Sequence, residues 1–168
     1  QTTNAVILTD INGRIDWVND GFTRLTGYEL SEVMRKIPGQ ILQGEKTNKD
    51  TIQRIGRALK DQKPISEEIL NYRKNGEEYW VHVNINPLKD ENDVLTGYMA
   101  IQSDITEQKS IEHKLREAMK MAKAAQESEK LFLTNMSHEI RTPLNAVIGM
   151  TNLLYDTSPS EIQKDFLD

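Results

Sequence analysis

The sequence predicts a small α+β domain followed by a long helical region. Up to Thr106, short apolar stretches alternate with turn signals such as Asn12-Gly13 and Asn75-Gly76, a pattern typical of antiparallel strands. Beyond Thr106, turn residues become rare and apolar residues recur at helical spacing. We therefore expect a five-stranded antiparallel sheet with helices on one face, then a long α-helical coiled coil, then part of a helical hairpin from a four-helix bundle.

The first elements are predicted to be two strands and some short helices. Ala5–Thr9 is a continuous apolar stretch, and Arg14–Val18 alternates between apolar and polar residues, which favours strands. Asp10–Gly13 contains the Asn-Gly pair of tight hairpins. Asn19–Met34 is interrupted by Gly27 and is therefore predicted to form short helices rather than one long helix.

The longest helix of the domain is predicted over Thr47–Asp61, because Ile52, Ile55 and Leu59 recur there at helical spacing. Three strands follow it. They are predicted over Ile65–Arg73, Glu78–Pro87 and Val94–Ile105. Lys74-Asn75-Gly76 indicates a type I′ hairpin between the first two strands, and Asp90–Asp93 is a turn before the third.

The helical region carries an apolar seam with spacings of four and three, formed by Ile111, Leu115, Ala118, Ala122 and Ala125. This spacing predicts a parallel coiled coil, weakened by small residues and by Glu129, before the seam reaches Phe132. The alternative is a single solvated helix, which would leave its apolar stripe uncovered. We predict a turn over Tyr155–Thr157 and a second helix starting at the N-cap Ser158, with Pro159 at its first position.

Around His138, apolar residues continue at helical spacing, and His138 falls beside the stripe and should face water. Glu139 follows it, Thr142 lies one turn further, and Pro143 is expected to kink the helix. A solvent-facing imidazole beside a carboxylate can act as a nucleophile. From these residues alone, an ordinary surface histidine is the alternative.

The run from Phe132 to Asn145 resembles the phosphoacceptor box of sensor histidine kinases, with the pattern F-x-x-x-M-S-H-E-I-R-T-P-L-N. The resemblance implies that His138 is the phosphorylated residue, that Glu139 is the base that polarises it, and that Thr142 orients water for phosphatase activity. It also implies a homodimer, a separate catalytic domain that binds Mg·ATP, and a response-regulator aspartate as the final acceptor. The chain has no Gly-rich nucleotide loop, so the fragment alone should be inactive.

The N-terminal domain resembles PAS sensor domains, through Asn19–Tyr28, Gly76 with Trp80, and the closing Asp104-Ile-Thr106. Its middle resembles the flavin-binding light-oxygen-voltage (LOV) branch, through Ile41–Gly44, Asn71–Gly76, Tyr79-Trp80 and Gln102. The resemblance implies that Gln43, Asn71 and Gln102 line the sensor pocket and hydrogen-bond its cofactor.

The chain departs from the LOV pattern at the pocket. The photoreactive cysteine falls at Gly39, phosphate-binding arginines fall at Gln40 and Gly56, and a ring-binding asparagine falls at Val81. Adduct chemistry is excluded, since the chain has no cysteine. An unidentified small ligand or an empty pocket is therefore favoured over a flavin. Haem is disfavoured further, because Thr47–Asp61 contains no histidine to bind iron and His82 should face away from the pocket.

Composition limits the possible functions. The 168 residues include no cysteine and carry a formal net charge of −5, which fits a reducing compartment and argues against a nucleic-acid surface or a PAS transcription factor. No apolar run is long enough for a membrane span. Gln1 indicates a piece cut from a longer protein, so a membrane anchor could lie only in parts absent here.

We expect three segments: a PAS sensor over residues 1–106, a coiled-coil linker over 107–130, and the start of a dimerisation and phosphotransfer domain over 131–168. Together they predict a cytoplasmic piece of a two-component sensor histidine kinase. In it, the PAS signal would control autophosphorylation of His138 and phosphotransfer to a regulator. The alternative is a non-enzymatic PAS dimerisation or sensory module.

Overall fold

The structure is a computed structural model and describes residues 4–156. It divides into two compact units, Gln1–His113 and Lys114–Asp168. The elements, in order, are β1 Ala5–Thr9, β2 Ile15–Val18, α1 Asp20–Thr26, α2 Leu30–Val33, α3 Pro38–Leu42, α4 Lys49–Lys60, β3 Ile65–Tyr72, β4 Glu78–Lys89, β5 Leu95–Asp104 and α5 Thr106–Asp156. Within the described part of the chain, no helix is both long and apolar enough to cross a membrane.

The five strands form one antiparallel sheet in the order β2-β1-β5-β4-β3, which confirms the predicted sheet. Asn71 of β3 lies opposite Tyr79 of β4, and Val83 of β4 lies opposite Gln102 of β5. Directly paired residues point to the same side of a sheet, so these four side chains share one face. The same face carries the apolar core and the helices α1 to α4.

The core forms because strand alternation and helix periodicity place apolar residues on facing surfaces. Ile7, Val81 and Phe22 are completely buried, the first two from the sheet and the third from α1. The Asn19 side chain caps α1 by accepting a hydrogen bond from the Phe22 amide at 2.9 Å. This cap fixes the start of the helix and therefore the position of Phe22 over the sheet.

The hairpin turns differ from the expected type I′. That turn needs two consecutive residues with positive φ, but in the β3–β4 loop only Gly76 has one, at 85°. The Gly76 amide donates to the Arg73 carbonyl at 2.9 Å, and the Arg73 amide donates to the Glu77 carbonyl at 2.8 Å. The loop is thus a longer turn closed by one left-handed residue. The loop after β1 repeats this geometry with Gly13, at 73°.

The predicted element bounds were wrong in small ways. The structure adds α3, Pro38–Leu42, which the sequence analysis did not include. It starts α4 at Lys49 rather than Thr47, because Asn48 is the N-cap and accepts from the Thr51 amide at 3.0 Å. It extends β4 to Lys89.

Helix α5 runs without a break through Pro143 to Asp156. The predicted turn at Tyr155 is therefore wrong at its first two residues, which are helical. Thr157 and the predicted second helix from Ser158 lie outside the described residues. The kink at Pro143 and the limits of the three predicted segments stay predictions.

Candidate functional site

A cavity of about 380 Å³ lies between the inner face of the sheet and the helices α3 and α4. Cavities that hold small ligands start at about this size, roughly 300 Å³. Apolar side chains form most of its wall, including Ile52 and Ile55 from α4 and Ile69, Val83 and Ile85 from the sheet. On the sheet side, β1, β3, β4 and β5 all contribute lining residues.

Two contacts hold α4 over the sheet. The Arg54 side chain of α4 makes a bidentate ion pair with Glu67 of β3, with N–O distances of 2.6 and 2.8 Å. The Tyr98 hydroxyl of β5 donates to the Leu59 carbonyl near the end of α4 at 2.7 Å. Tyr98 was not predicted as a site residue, although its alternation with Ala100 and Gln102 along β5 places all three on one face.

The three predicted pocket residues line this one cavity. Asn71 comes from β3 and Gln102 from β5, while Gln43 is half-buried at the C-terminal end of α3. A Cβ added at Gly39 would lie 2.9 Å from the Gln43 amide nitrogen, so the α3 backbone passes close to that amide. The roles of these residues stay proposals.

Several buried polar atoms of this cavity lack a hydrogen-bond partner among the described residues. They are Asn71 Oδ1, Gln102 Oε1 and Thr9 Oγ1. The side chains of Asn71 and Gln102 are almost fully buried, at 4% and 5% exposure. An unsatisfied buried polar group costs about 1–3 kcal/mol, so this wall fits a molecule that supplies the missing hydrogen bonds.

The Tyr79 hydroxyl is a further unpaired buried atom, but it does not line the cavity. Burial raises the pKa of Tyr79 to about 12, so the hydroxyl stays protonated and can donate a hydrogen bond. Tyr79 lies opposite Asn71, and a small side-chain movement could pair these two residues. Gln102 is therefore the acceptor for which the cavity most clearly needs an outside donor.

The positions that depart from the LOV pattern divide into two groups. Gly39, Gln40 and Gly56 line the cavity, and Gln40 and Gly56 are exposed at its mouth. Val81 instead is completely buried in the core and does not line it. The prediction that His82 faces away is confirmed, because its Nε2 lies 2.8 Å from Ser66 Oγ and His82 does not line the cavity.

The strand that carries Gln102 leads directly into α5. Asp104 Oδ1 accepts from the Thr106 amide at 2.9 Å, and Asp104 Oδ2 accepts from Arg73 at 3.0 Å. The Thr106 hydroxyl in turn accepts from the Trp80 amide at 2.9 Å. Because Asn71 and Gln102 lie two residues before Arg73 and Asp104, the cavity wall is connected to the start of α5 through the ends of β3 and β5.

These contacts also set the charge state of Asp104. Burial works to raise the pKa of the Asp104 carboxyl, but hydrogen bonds from Thr106 and Arg73 outweigh it and lower the pKa. A carboxylate whose pKa is lowered by folding stabilises the fold above the unfolded pKa of about 3.9, and this contribution is lost as the pH falls.

We expect Asp104→Asn to lower the free energy of unfolding by about 1 kcal/mol at pH 7, a value reduced for partial solvent exposure. The difference from wild type should shrink as the pH falls through the folded-state pKa of Asp104, because the wild-type carboxylate is then protonated. Urea unfolding between pH 3 and 7 measures both quantities. An equal difference at every pH would contradict the electrostatic role.

The second unit places His138, Glu139 and Thr142 on the exposed surface of α5. The Thr142 hydroxyl donates to the His138 carbonyl at 3.1 Å, which fixes it one turn beyond the histidine and leaves its oxygen able to accept from water. His138 and Glu139 are consecutive on a helix, so their side chains point to adjacent faces. The His138 side chain is exposed to solvent in the single chain.

The same helix exposes many large apolar side chains. Leu115, Phe132 and Ile140 are each about 60% exposed. An amphipathic helix gains most of its stability by packing its apolar stripe against a partner. The stripe of α5 therefore requires a covering surface.

Comparison with known proteins assigns both segments. Residues 3–107 match the PAS domain family, and residues 128–168 match the His Kinase A (phospho-acceptor) domain. The chain therefore belongs to the PAS domain family and continues into a phosphoacceptor domain of the histidine-kinase type. Within the PAS family, its sensor domain is LOV-like.

Individual relatives agree with this assignment. Blue-light-activated histidine kinase 2 of Erythrobacter litoralis is 34% identical over 94 residues, which are 56% of this chain and 27% of that protein. Hybrid signal transduction histidine kinase L of Dictyostelium discoideum is 29% identical over 166 residues, 98% of this chain and 9% of that protein. The matched segments thus cover less than a third of either relative, 27% and 9%.

Among solved structures, the LOV domain of a blue-light activated histidine kinase from Erythrobacter litoralis superposes with a TM-score of 0.59 and 30% identity. The match covers 63% of this chain and 99% of that domain.

Proposed function

We propose that this chain is the sensory and phosphoacceptor part of a two-component histidine kinase. The observation that carries the proposal is the exposed His138 on α5, followed by Glu139 and Thr142, in a segment that matches the phospho-acceptor domain. In the proposed reaction, a neutral ring nitrogen of His138 attacks the γ-phosphorus of ATP, the bond to the bridging oxygen breaks, and ADP leaves. The other ring nitrogen gives up its proton, for which Glu139 is the nearest carboxylate in sequence.

The phosphoryl group would then pass from His138 to an aspartate of a response regulator. Such transfers depend on positioning and on neutralising charge at the phosphoryl oxygens, so Mg·ATP must be supplied by a separate catalytic domain. A homodimer is the proposed assembly, since two copies of α5 would cover each other's apolar stripes. We propose a cytoplasmic setting for the reaction.

The proposed signal is a change of ligand in the PAS cavity. Asn71, Gln102 and Gln43 would hold the ligand through their amides, and a flavin bound there would supply redox chemistry on its ring. Because Asn71 and Gln102 lie two residues before the Arg73–Asp104 pair at the start of α5, a change at the cavity wall could alter the packing of the helix.

The test is to incubate the chain with Mg·ATP and a histidine kinase catalytic domain from the full-length protein. Acid-labile phosphate on this chain is the expected result, because phosphohistidine is hydrolysed in acid and phosphate esters of serine and threonine are not. Absence of label would favour the alternative, a non-enzymatic sensory module.

We expect Thr142→Ala to reduce dephosphorylation of the phosphorylated regulator by about tenfold or more, since positioning a reacting water contributes at least that much. Autophosphorylation should largely survive, because it does not use this hydroxyl. Phosphatase and autokinase rates of the full-length protein measure the two effects.

Thr134→Ala is a matched control for this substitution. The Thr134 hydroxyl donates to the Lys130 carbonyl at 2.9 Å. Thr142 makes the equivalent hydrogen bond to the His138 carbonyl, also four residues earlier in the helix. If Thr134→Ala lowered the phosphatase rate as much as Thr142→Ala, the effect would come from damage to the helix.

A further inference from the structure

The wall of the PAS cavity carries no formal charge. Among residues 4–156, those that line it are apolar side chains, glycines, amides and hydroxyls, without any Asp, Glu, Lys, Arg or His. The exposed lining residues, at the mouth, are Asn12, Gln40 and Gly56, which are equally uncharged. A charged ligand group brought into this space would lose its water and find no counter-charge, which is costly.

The nearest cations along α4 do not change this. Arg54 and Arg57 flank Gly56 on the helix and Lys60 lies one turn further, but all three are exposed and none lines the cavity. An exposed cation in water contributes about 0–1 kcal/mol to an ion pair, and salt screens it.

The wall excludes charge, but it requires a ligand that donates hydrogen bonds. The unpaired buried atoms of Asn71 and Gln102 are amide oxygens, which accept hydrogen bonds. A ligand satisfies the Gln102 oxygen by donating an N–H or O–H group, whereas the Asn71 oxygen can also pair with the neighbouring Tyr79 hydroxyl. Apolar side chains on α4 and the sheet would contact the remainder of such a molecule.

We propose that the cavity selects an electrically neutral, largely apolar ring compound that donates a hydrogen bond to Gln102, and that it rejects phosphorylated forms of the same compound. This inference rests on the proposed sensory function and specifies its ligand class. For a flavin, the selected form is riboflavin rather than its 5′-phosphate.

The first test identifies what the protein carries. Purified protein is denatured, and the released small molecules are identified by mass spectrometry. A neutral compound with an N–H or O–H donor supports the proposal, and a phosphate ester or carboxylate overturns it. If nothing is released, the binding test below decides.

The second test titrates the ligand-free protein with riboflavin and with riboflavin 5′-phosphate, which differ only by the phosphate. Flavin fluorescence reports binding, and low salt gives Arg57 and Lys60 their greatest influence. Riboflavin is expected to bind several-fold more tightly. Equal or tighter binding of the phosphate ester overturns the selectivity but leaves the sensory function standing. Binding of neither probe, with nothing released on denaturation, overturns the proposed ligand class, whereas the phosphoacceptor function is tested separately by labelling of His138.

Two variants test the residues. Gly56→Arg places a cation at the mouth, where an added Cβ meets nothing within 4 Å, and it should reverse the preference toward the phosphate ester. Gln53→Arg adds the same charge on α4 outside the cavity lining and should not. An unchanged ratio in Gly56→Arg would contradict the proposal.

Gln102→Leu should weaken riboflavin binding by at least tenfold, since it removes the buried acceptor. Asn84→Leu removes an amide from β4 that does not line the cavity and serves as its control. Equal affinities of Gln102→Leu and wild type for riboflavin would overturn the role of Gln102.

Discussion

Replacing His138 with Gln is expected to abolish acid-labile phosphorylation of the chain in the presence of Mg·ATP and its catalytic domain. Glutamine keeps a polar side chain of similar length on the exposed face of α5 but offers no nucleophilic ring nitrogen. The helix itself should be unaffected, because the His138 side chain is exposed and Gln is a good helix former. Phosphorylation with radiolabelled ATP, followed by acid and alkali treatment, measures the loss.

His113→Gln is the matched control, since His113 is also an exposed histidine of α5. The His113→Gln variant should be phosphorylated to the same extent as the wild-type protein. Acid-stable label that persisted in His138→Gln would point to a hydroxyl such as Ser137 or Thr142, and acid-labile label would point to another histidine. Either result would contradict the assignment of His138.

The sheet could be predicted from the sequence because strand alternation and turn residues act locally. The hairpin type could not be predicted, since Asn75-Gly76 is compatible both with a type I′ turn and with the longer turn that the structure shows. The left-handed conformation at Gly76 alone reflects how β3 and β4 pair. Helix α3 was missed because Pro38 and Gly39 normally mark a loop, whereas here Pro38 occupies the first helical turn.

The cavity could be predicted only in part. Resemblance to LOV domains pointed to Gln43, Asn71 and Gln102, and the structure brings all three to one cavity. The unpaired state of the Gln102 oxygen depends on the space left between α4 and β5, which no local pattern encodes. The contact between Tyr98 and α4 could not be predicted without knowing that β5 lies close to the end of that helix.

The proposed dimer follows from the exposure of apolar seam residues along α5. Its seam residues Ile111 and Leu115 are about 60% exposed in the single chain, and burying a leucine contributes about 1.5–3 kcal/mol. In the proposed dimer, a second copy of α5 would cover this seam with identical residues, as in a parallel coiled coil. Small residues at Ala118 and Ala122 would keep the seam weak enough to change its packing during signalling.

The Leu115→Asp variant is therefore expected to dissociate a dimer that the wild-type chain forms at micromolar concentration. It removes two buried leucines per dimer and places two carboxylates opposite each other, so the dissociation constant should rise at least 100-fold, equivalent to about 3 kcal/mol. Sedimentation equilibrium measures it. Ala124→Asp adds the same charge to an exposed position of α5 outside the predicted seam and should stay dimeric. A monomeric wild type, or a Leu115→Asp variant that dimerises like Ala124→Asp, would contradict the coiled-coil seam.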